Sequence, residues 1–593
     1  MSWHKFALPI FTMLIVSAAT QSFGQSVNSN PFAGGMSSGG PLLRIMMMII
    51  CTALGFGLGW FLSPAAKQFR TILLLGILGL VALIAVMISG PLGWSAAMLV
   101  AIVGFAWGLG YWLKSAISGF GGKPTTFGSS RWAEELDLIA HDVFGNDGIR
   151  LGRAAVFDGV EPISYKGDRH LLTVAPTRAG KGTTQIIPNL LTYEGSMMVI
   201  DPKGENALIT AKRRQDMGQK VHVVDPWGIA QIEGIEPSSF NPLDWLDLGD
   251  VDITENAMIL ADALVVDDNH ADSFWTEEAK AILQGFILYV ATARSEKDNR
   301  TLGRVRELLL QDGDDLDALF QKMVKSSHPI VSSTGARSLQ KDPKLLSNVL
   351  AAAQAQTHFL DSSRLKDNLM SSDFKFEDLK TEPMTIYLVL PADRLSTFGR
   401  WLRLLVQQAI TVNARNIEAK PEKPILFILD EFAALGKLSM IEQAYGLMAG
   451  FGLQLWGIIQ DFNQLERIYG DGWQSFVANA GMVNYFGSSD QKTAEYFSSL
   501  CGETTVWNFS SAVASAFGTS SSTSGGSTNE SITNTDTTAA AQRKLAYPDE
   551  LMRLRSENQL VFIDTMYPLI ANKLPWFEDE KLRPLGVNLH EEK

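Results

Sequence analysis

The sequence predicts an open α/β sheet domain behind a front of membrane-spanning helices. Three observations carry this. A strand-like run at 170–174 leads into a small-residue loop, a Gly-Lys pair and a helical pattern. A second apolar run, 424–429, ends in two adjacent carboxylates, Asp430 and Glu431. The first 130 residues contain no Asp or Glu and hold only six of the chain's 50 basic residues, Lys5, Arg44, Lys67, Arg70, Lys114 and Lys123.

The charge split divides the 593-residue chain. The remainder holds 44 basic side chains and all 63 acidic ones. An apolar front is thus followed by an acidic soluble body, and the length calls for two to four domains. An acidic balance gives no general nucleic-acid footprint, because phosphate neutralisation needs a basic face. Two distant cysteines, Cys51 and Cys501, form neither a disulfide framework nor a metal cluster.

Three apolar stretches, 43–62, 71–90 and 92–113, each have about the 20 residues that a helix needs to cross the hydrocarbon core. Lys67 and Arg70 lie between the first two, and Lys114 and Lys123 follow the third. The positive-inside rule then puts the 63–70 loop and everything after 114 in the cytoplasm, and residues before 42 outside. In a bacterium this is a multi-pass inner-membrane protein. The run 6–19 behind Lys5 is either a signal-peptide core or a fourth helix.

The loop after the first strand reads Ala175-Pro176-Thr177-Arg178-Ala179-Gly180-Lys181-Gly182-Thr183-Thr184. Such a loop turns backbone N–H groups and a helix N-terminus toward phosphates, and the lysine neutralises them. Thr177 to Thr184 are the candidate nucleotide ligands. The strict pattern departs at Ala175, in place of glycine, and at Gly182, in place of a hydroxyl residue. The carboxylate pair complements the loop, since P-loop ATPases hold Mg2+ and orient water with such groups at a strand end. Asp430 is the candidate metal ligand and Glu431 the candidate base, with ATP and Mg2+ as cofactors. Two further strands, 197–200 and 453–459, end at Asp201-Pro202-Lys203-Gly204-Glu205 and at Gln460-Asp461. Ligands of open α/β sheets sit outside the carboxyl ends of strands. Gln460 is therefore a candidate γ-phosphate sensor. Asp201 and Glu205 are candidate rim residues, with helix capping as the competing role.

Taken together, residues 175–182, Asp-Pro-Lys-Gly-Glu at 201–205, Val-Asp-Pro at 224–226, Asn-Pro-Leu at 241–243, Leu-Asp-Glu-Phe at 429–432 and Gln-Asp-Phe-Asn-Gln-Leu at 460–465 resemble the VirD4/TraG family. These are the coupling-protein ATPases of type IV secretion and conjugation systems. The resemblance covers about residues 130–590. It implies a RecA-like P-loop ATPase domain, formed by 130–242 and 376–593, with an inserted all-α domain at 243–375. It also implies a homo-hexamer that receives DNA–relaxase complexes (the DNA single-stranded) or protein effectors and passes them to inner-membrane components of the secretion channel. The Gly182 departure resembles a family habit. It leaves Thr183 as the nearest candidate for the magnesium hydroxyl.

Within 243–375, apolar spacing of i, i+3, i+4 predicts helices at 277–293, 302–310, 316–325 and 345–360. A strand at 384–390 and a helix at 397–412 follow, with Arg394, Arg400 and Arg403 alongside. Arg394 or Arg400 could stabilise the transferring phosphate of a neighbouring subunit, and a surface ion pair is the alternative for each. Residues 508–541, rich in Ser, Thr, Gly and Ala, predict a mobile loop. A helix at 547–554 and a closing strand at 559–564 complete the chain.

Two other functions share these features. A DNA-pumping motor of the chromosome-segregation type predicts a C-terminal winged helix, for which the sequence shows no candidate. A receptor that uses nucleotide only for assembly predicts that Lys181 and Glu431 are dispensable for transport.

Overall fold

The computed structural model describes residues 126–266, 273–522 and 525–589 and the isolated positions 50, 53 and 55, with the backbone alone for 507–539. Apart from those three positions, the segment 1–42 and the expected spans at 43–62, 71–90 and 92–113 lie outside the described residues. Among the described residues no helix is long and apolar enough to cross a membrane.

The strands in chain order are β1 (Ile149–Val156), β2 (Gly159–Tyr165), β3 (Leu171–Val174), β4 (Met197–Asp201), β5 (Lys220–Val224), β6 (Met384–Val389), β7 (Ile425–Leu429), β8 (Leu453–Ile459), β9 (Met482–Tyr485), β10 (Glu503–Ser522), β11 (Gly525–Lys544), β12 (Asn558–Ile563) and β13 (Leu569–Asn572). Eleven of them form one sheet in the order β2-β1-β13-β12-β9-β3-β8-β7-β4-β6-β5. From β9 to β5 all neighbours are parallel. From β9 outward to β2 they are antiparallel.

The central parallel strands β4 and β7 are buried on both faces, which explains the unbroken apolar runs 197–200 and 425–429. Alternate side chains enter two different cores. Ile425, Phe427 and Leu429 of β7 join one, with Met198 and Ile200 of β4 and Leu172 and Val174 of β3. Leu426 and Ile428 join the other, with Met197, Val199 and Leu171. The first core continues into the helices between β5 and β6 and into the long helix Leu395–Arg415, through Trp401, Leu405 and Phe286. The second packs Ile186, Leu190 of helix Ile187–Thr192, and Ala207 and Ala211 of helix Glu205–Asp216.

Among the described residues no strand lies between Val224 and Met384. The helices there include Ile253–Leu264, Ser273–Thr292, Leu302–Leu309, Gly313–Val324, Pro329–Gln340 and Pro343–Thr357. Their starts carry the expected chemistry. The Thr301 hydroxyl accepts from the Arg304 N–H. Asp342 accepts from Lys344 and Leu345, with Pro343 in the first turn.

The loop expected at 508–541 is corrected. The backbone pairs β10 with β11 antiparallel, from Glu503↔Lys544 to Ser522↔Gly525. A shortage of large apolar residues limits what a segment can bury, but a two-strand ladder is joined by its own backbone hydrogen bonds. The β-branched threonines suit it.

Candidate nucleotide site

Strand order assembles the site. β8 lies between β3, which feeds the loop, and β7, which ends at the carboxylates. Residues from positions 181, 430, 431 and 460 therefore meet above three neighbouring parallel strands. The Lys181 Nζ donates to Asp430 Oδ1 at 2.7 Å and to Glu431 Oε1 at 2.9 Å. The Gln460 side-chain amide donates to Glu431 Oε2 at 3.4 Å. All four predicted side chains are thus joined in one network.

Its electrostatics are tightly coupled. Burial works against the Lys181 ammonium, but Asp430 and Glu431 more than offset it and raise its pKa. Burial pushes the Asp430 carboxyl above the usual carboxylate range, with the nearby lysine opposing. Glu431 adopts the left-handed conformation at φ 59°, ψ 46°. A side chain other than glycine there costs roughly 1–2 kcal/mol, and such outliers gather where the surroundings enforce a functional geometry.

The loop itself is tightly wound. Arg178 and Gly180 both have positive φ, 64° and 89°. Ala179 N–H donates to Pro176 O, which closes the turn. Thr177 and Arg178 are exposed, Ala179 to Thr183 are half-buried and Thr184 is buried. The Thr183 and Thr184 hydroxyls both donate to Gly180 O, at 3.2 and 2.8 Å. Residues Gly182–Ile186 form a π-helical turn before the α-helix Ile187–Thr192. A β-carbon built on Gly182 would meet no heavy atom within 4 Å.

These features fit the implied groups. The loop leaves open space at Gly182 for a phosphate, with Lys181 as its counter-charge. Adjacent carboxylates are the hard oxygen donors a divalent cation takes.

The rim candidates divide. Asp201 is buried and caps the next helix, accepting from Lys203 N–H at 3.3 Å and Ala207 N–H at 2.9 Å. Burial raises its pKa to about 7, helped by the Asp430 charge. Its geometry is therefore that of a cap. Glu205 is exposed beside Lys203. Of the three arginines, Arg403 is buried and donates to the carbonyls of Ala263, Leu435 and Lys437. Arg394 lies 5.6 Å over the Trp227 ring and 3.6 Å from Asp393. Arg400 donates to Gln356.

Sequence reasoning missed the support behind the loop. Gln185, in the π-helical turn, donates to Leu151 O and to Gln559, which also accepts from Asn484. Trp576 N–H donates to Thr183 O at 2.9 Å, and Lys573 Nζ to Ala179 O at 3.0 Å. Apart from Leu151, these partners lie hundreds of residues from the loop, and no local pattern marks them.

The model of the family described as Type IV secretory system Conjugative DNA transfer matches residues 124–589. The conjugal transfer protein TraG of Escherichia coli is 27% identical over 538 residues, 82% of each chain. The protein VirD4 of Agrobacterium fabrum is 27% identical over 481 residues, 77% of this chain and 67% of that one. Among solved structures, the plasmid coupling protein TrwB in complex with the ATP analogue ADPNP has a TM-score of 0.55 at 17% identity. The likeness covers 77% of this chain and 96% of that one. TrwB in complex with ADP and Mg2+ gives a TM-score of 0.54 at 16% identity, over 75% and 94%. The fold is accordingly that of TrwB, a RecA-like P-loop domain on a large mixed sheet, and the chain belongs to the conjugative DNA-transfer family of type IV secretory systems.

Proposed function

We propose that this coupling protein hydrolyses ATP on its cytoplasmic domain, held to the bacterial inner membrane by its N-terminal helices, and so drives delivery of DNA–relaxase or protein substrates to the secretion channel. The observation that carries the reading is the convergence of Lys181, Asp430, Glu431 and Gln460 at three strand ends.

Each residue has a defined task. The 175–181 backbone and the first helical turn bind the phosphates, and Lys181 exchanges its two carboxylate partners for them. Asp430, released by that exchange, and the Thr183 hydroxyl would hold Mg2+, which would supply charge neutralisation at the transferring phosphoryl group. Glu431, fixed by its strained backbone, accepts a proton from the attacking water and orients it. Gln460 holds Glu431 in place and lies between the loop and the carboxylates, where it can report the terminal phosphate. VirD4, TraG and TrwB relatives support the coupling role, and TrwB structures with ADPNP and with ADP and Mg2+ support the cofactor set. The resemblance further supports a homo-hexamer and a helical insertion that meets the substrate.

The test is Mg2+-dependent ATP hydrolysis by the detergent-solubilised full chain, with and without single-stranded DNA. Turnover that disappears in Lys181→Ala supports the reading. A wild-type chain that binds ATP but never hydrolyses it, with or without DNA, overturns it in favour of a nucleotide-gated receptor.

A further inference from the structure

Lys573 is a buried cation that the reaction as described does not use. It follows β13, its N–H is held by Glu557 O at 2.7 Å, and the residue is 9% exposed. The ammonium donates to Ala179 O at 3.0 Å, on the phosphate loop, and lies 4.3 Å over the Phe486 ring. Phe486 is itself fixed to the strand that feeds the loop, through its N–H to Val174 O. Among the described residues no carboxylate lies within 4.0 Å of the ammonium.

A segment tied at several points sets this position. Trp576 donates its N–H to Thr183 O, and its buried ring packs on Ile187, Leu191 and Ile209. Asp579, 3% exposed, pairs with Arg150 at 3.1 Å and Arg153 at 3.5 Å, both on β1. Val587 N–H reaches Ile209 O. The chain from 573 to 587 therefore runs as a strap over the back of the loop and its helix.

A buried ammonium with no carboxylate at ion-pair distance is unfavourable by itself. Burial lowers its pKa to about 8, with Glu557 opposing, so at neutral pH it still carries its proton. The charge has one nearby use. The loop whose carbonyl it grips is the phosphate cradle, and a bound triphosphate would bring the missing negative charge to the other side of that loop.

We propose that Lys573 is a positioning residue for nucleotide, pinning the phosphate loop through Ala179 and supplying a second positive charge behind Lys181. The inference rests on the nucleotide-binding reading and deepens it. Lys573 acts through the loop, so it serves affinity more than the chemical step.

The experiment compares Lys573→Met and Lys573→Arg with wild type, as full chains in detergent. It measures binding of fluorescent ATP and ADP, kcat and KM, and unliganded thermal stability. A charge-assisted hydrogen bond lost from the loop predicts about a tenfold or greater weakening of ATP binding in Lys573→Met. The rise appears in KM, with kcat within about threefold, and arginine restores most of the affinity. Unliganded stability of Lys573→Met stays at or above that of wild type, because an uncompensated buried charge is removed. Unchanged ATP affinity in Lys573→Met overturns the inference. So does an affinity loss that follows a matching loss of stability and is not rescued by arginine. A wild-type chain that binds no nucleotide would instead refute the nucleotide site itself.

Discussion

Replacing Glu431 by glutamine separates chemistry from binding. The carboxylate accepts from Lys181 at 2.9 Å and from Gln460 at 3.4 Å. Glutamine keeps the size and one acceptor for the lysine, which also retains Asp430 at 2.7 Å. The Glu431 side chain is 28% exposed, so solvent screens the ion pair and its loss costs about 1 kcal/mol or less of stability. The left-handed backbone at residue 431 is equally unfavourable for both side chains, so that term cancels. Removing the neighbouring charge also takes away one influence that raises the Asp430 pKa, which leaves that carboxyl more readily ionised. What disappears is the base. Loss of a positioned general base slows reactions by about 10²–10⁴-fold, about 3–5 kcal/mol on the barrier. The assay is steady-state ATP hydrolysis by the full chain, beside equilibrium binding of a fluorescent ATP analogue. The expected result is a fall in kcat of at least a hundredfold with affinity held within about threefold. A kcat within threefold of wild type would refute the assignment, as would affinity and turnover falling together.

Two other expectations concern stability. His170 accepts the Leu455 N–H at Nδ1, so its Nε2–H donates to Ala444 O, and only the neutral ring satisfies both. Burial lowers its pKa to about 4. The unfolded state binds this proton near pH 6.5, so the stabilisation is complete above that pH and is lost as pH falls from 6.5 toward 4. Its size is about 3 kcal/mol. In melts from pH 4 to 7, His170→Gln should be destabilised yet show a shallower pH slope, and an unchanged slope would contradict the assignment. Arg403 gives three carbonyls their donors from a buried position. Arg403→Met should therefore lower stability by about 2–4 kcal/mol by leaving them unpaired, whereas Arg394→Ala, half exposed over Trp227, should cost about 1 kcal/mol or less. Equal melting shifts for the two would show that Arg403 is not the anchor the contacts describe.

The centre of the candidate nucleotide site was legible because strands such as β7 are buried on both faces. A run such as Ile425–Leu429 must then be wholly apolar, and any carboxylate at its end stands out. The same reasoning failed at the antiparallel edge. β1 carries Arg150 and Arg153, β2 carries Glu161 and Pro162, and β13 is half exposed, so none shows a clean apolar signal. The segment 508–541 was misread because burial was its only criterion, whereas a long hairpin ladder satisfies its own backbone. The rest of the site was hidden by distance along the chain. Gln185 meets Gln559 374 residues away, and Ala179 meets Lys573 394 residues away. Only the strand order, with β12 and β13 beside β9 and β3, brings them together.

The central claim is that hydrolysis at this site drives transfer. It is tested by measuring transfer frequency in cells carrying the cognate transfer system, with wild-type, Lys181→Ala or Glu431→Gln protein present at equal membrane levels. Loss of transfer by several orders of magnitude in both variants is the predicted result. Transfer at the wild-type frequency in either variant would contradict the account.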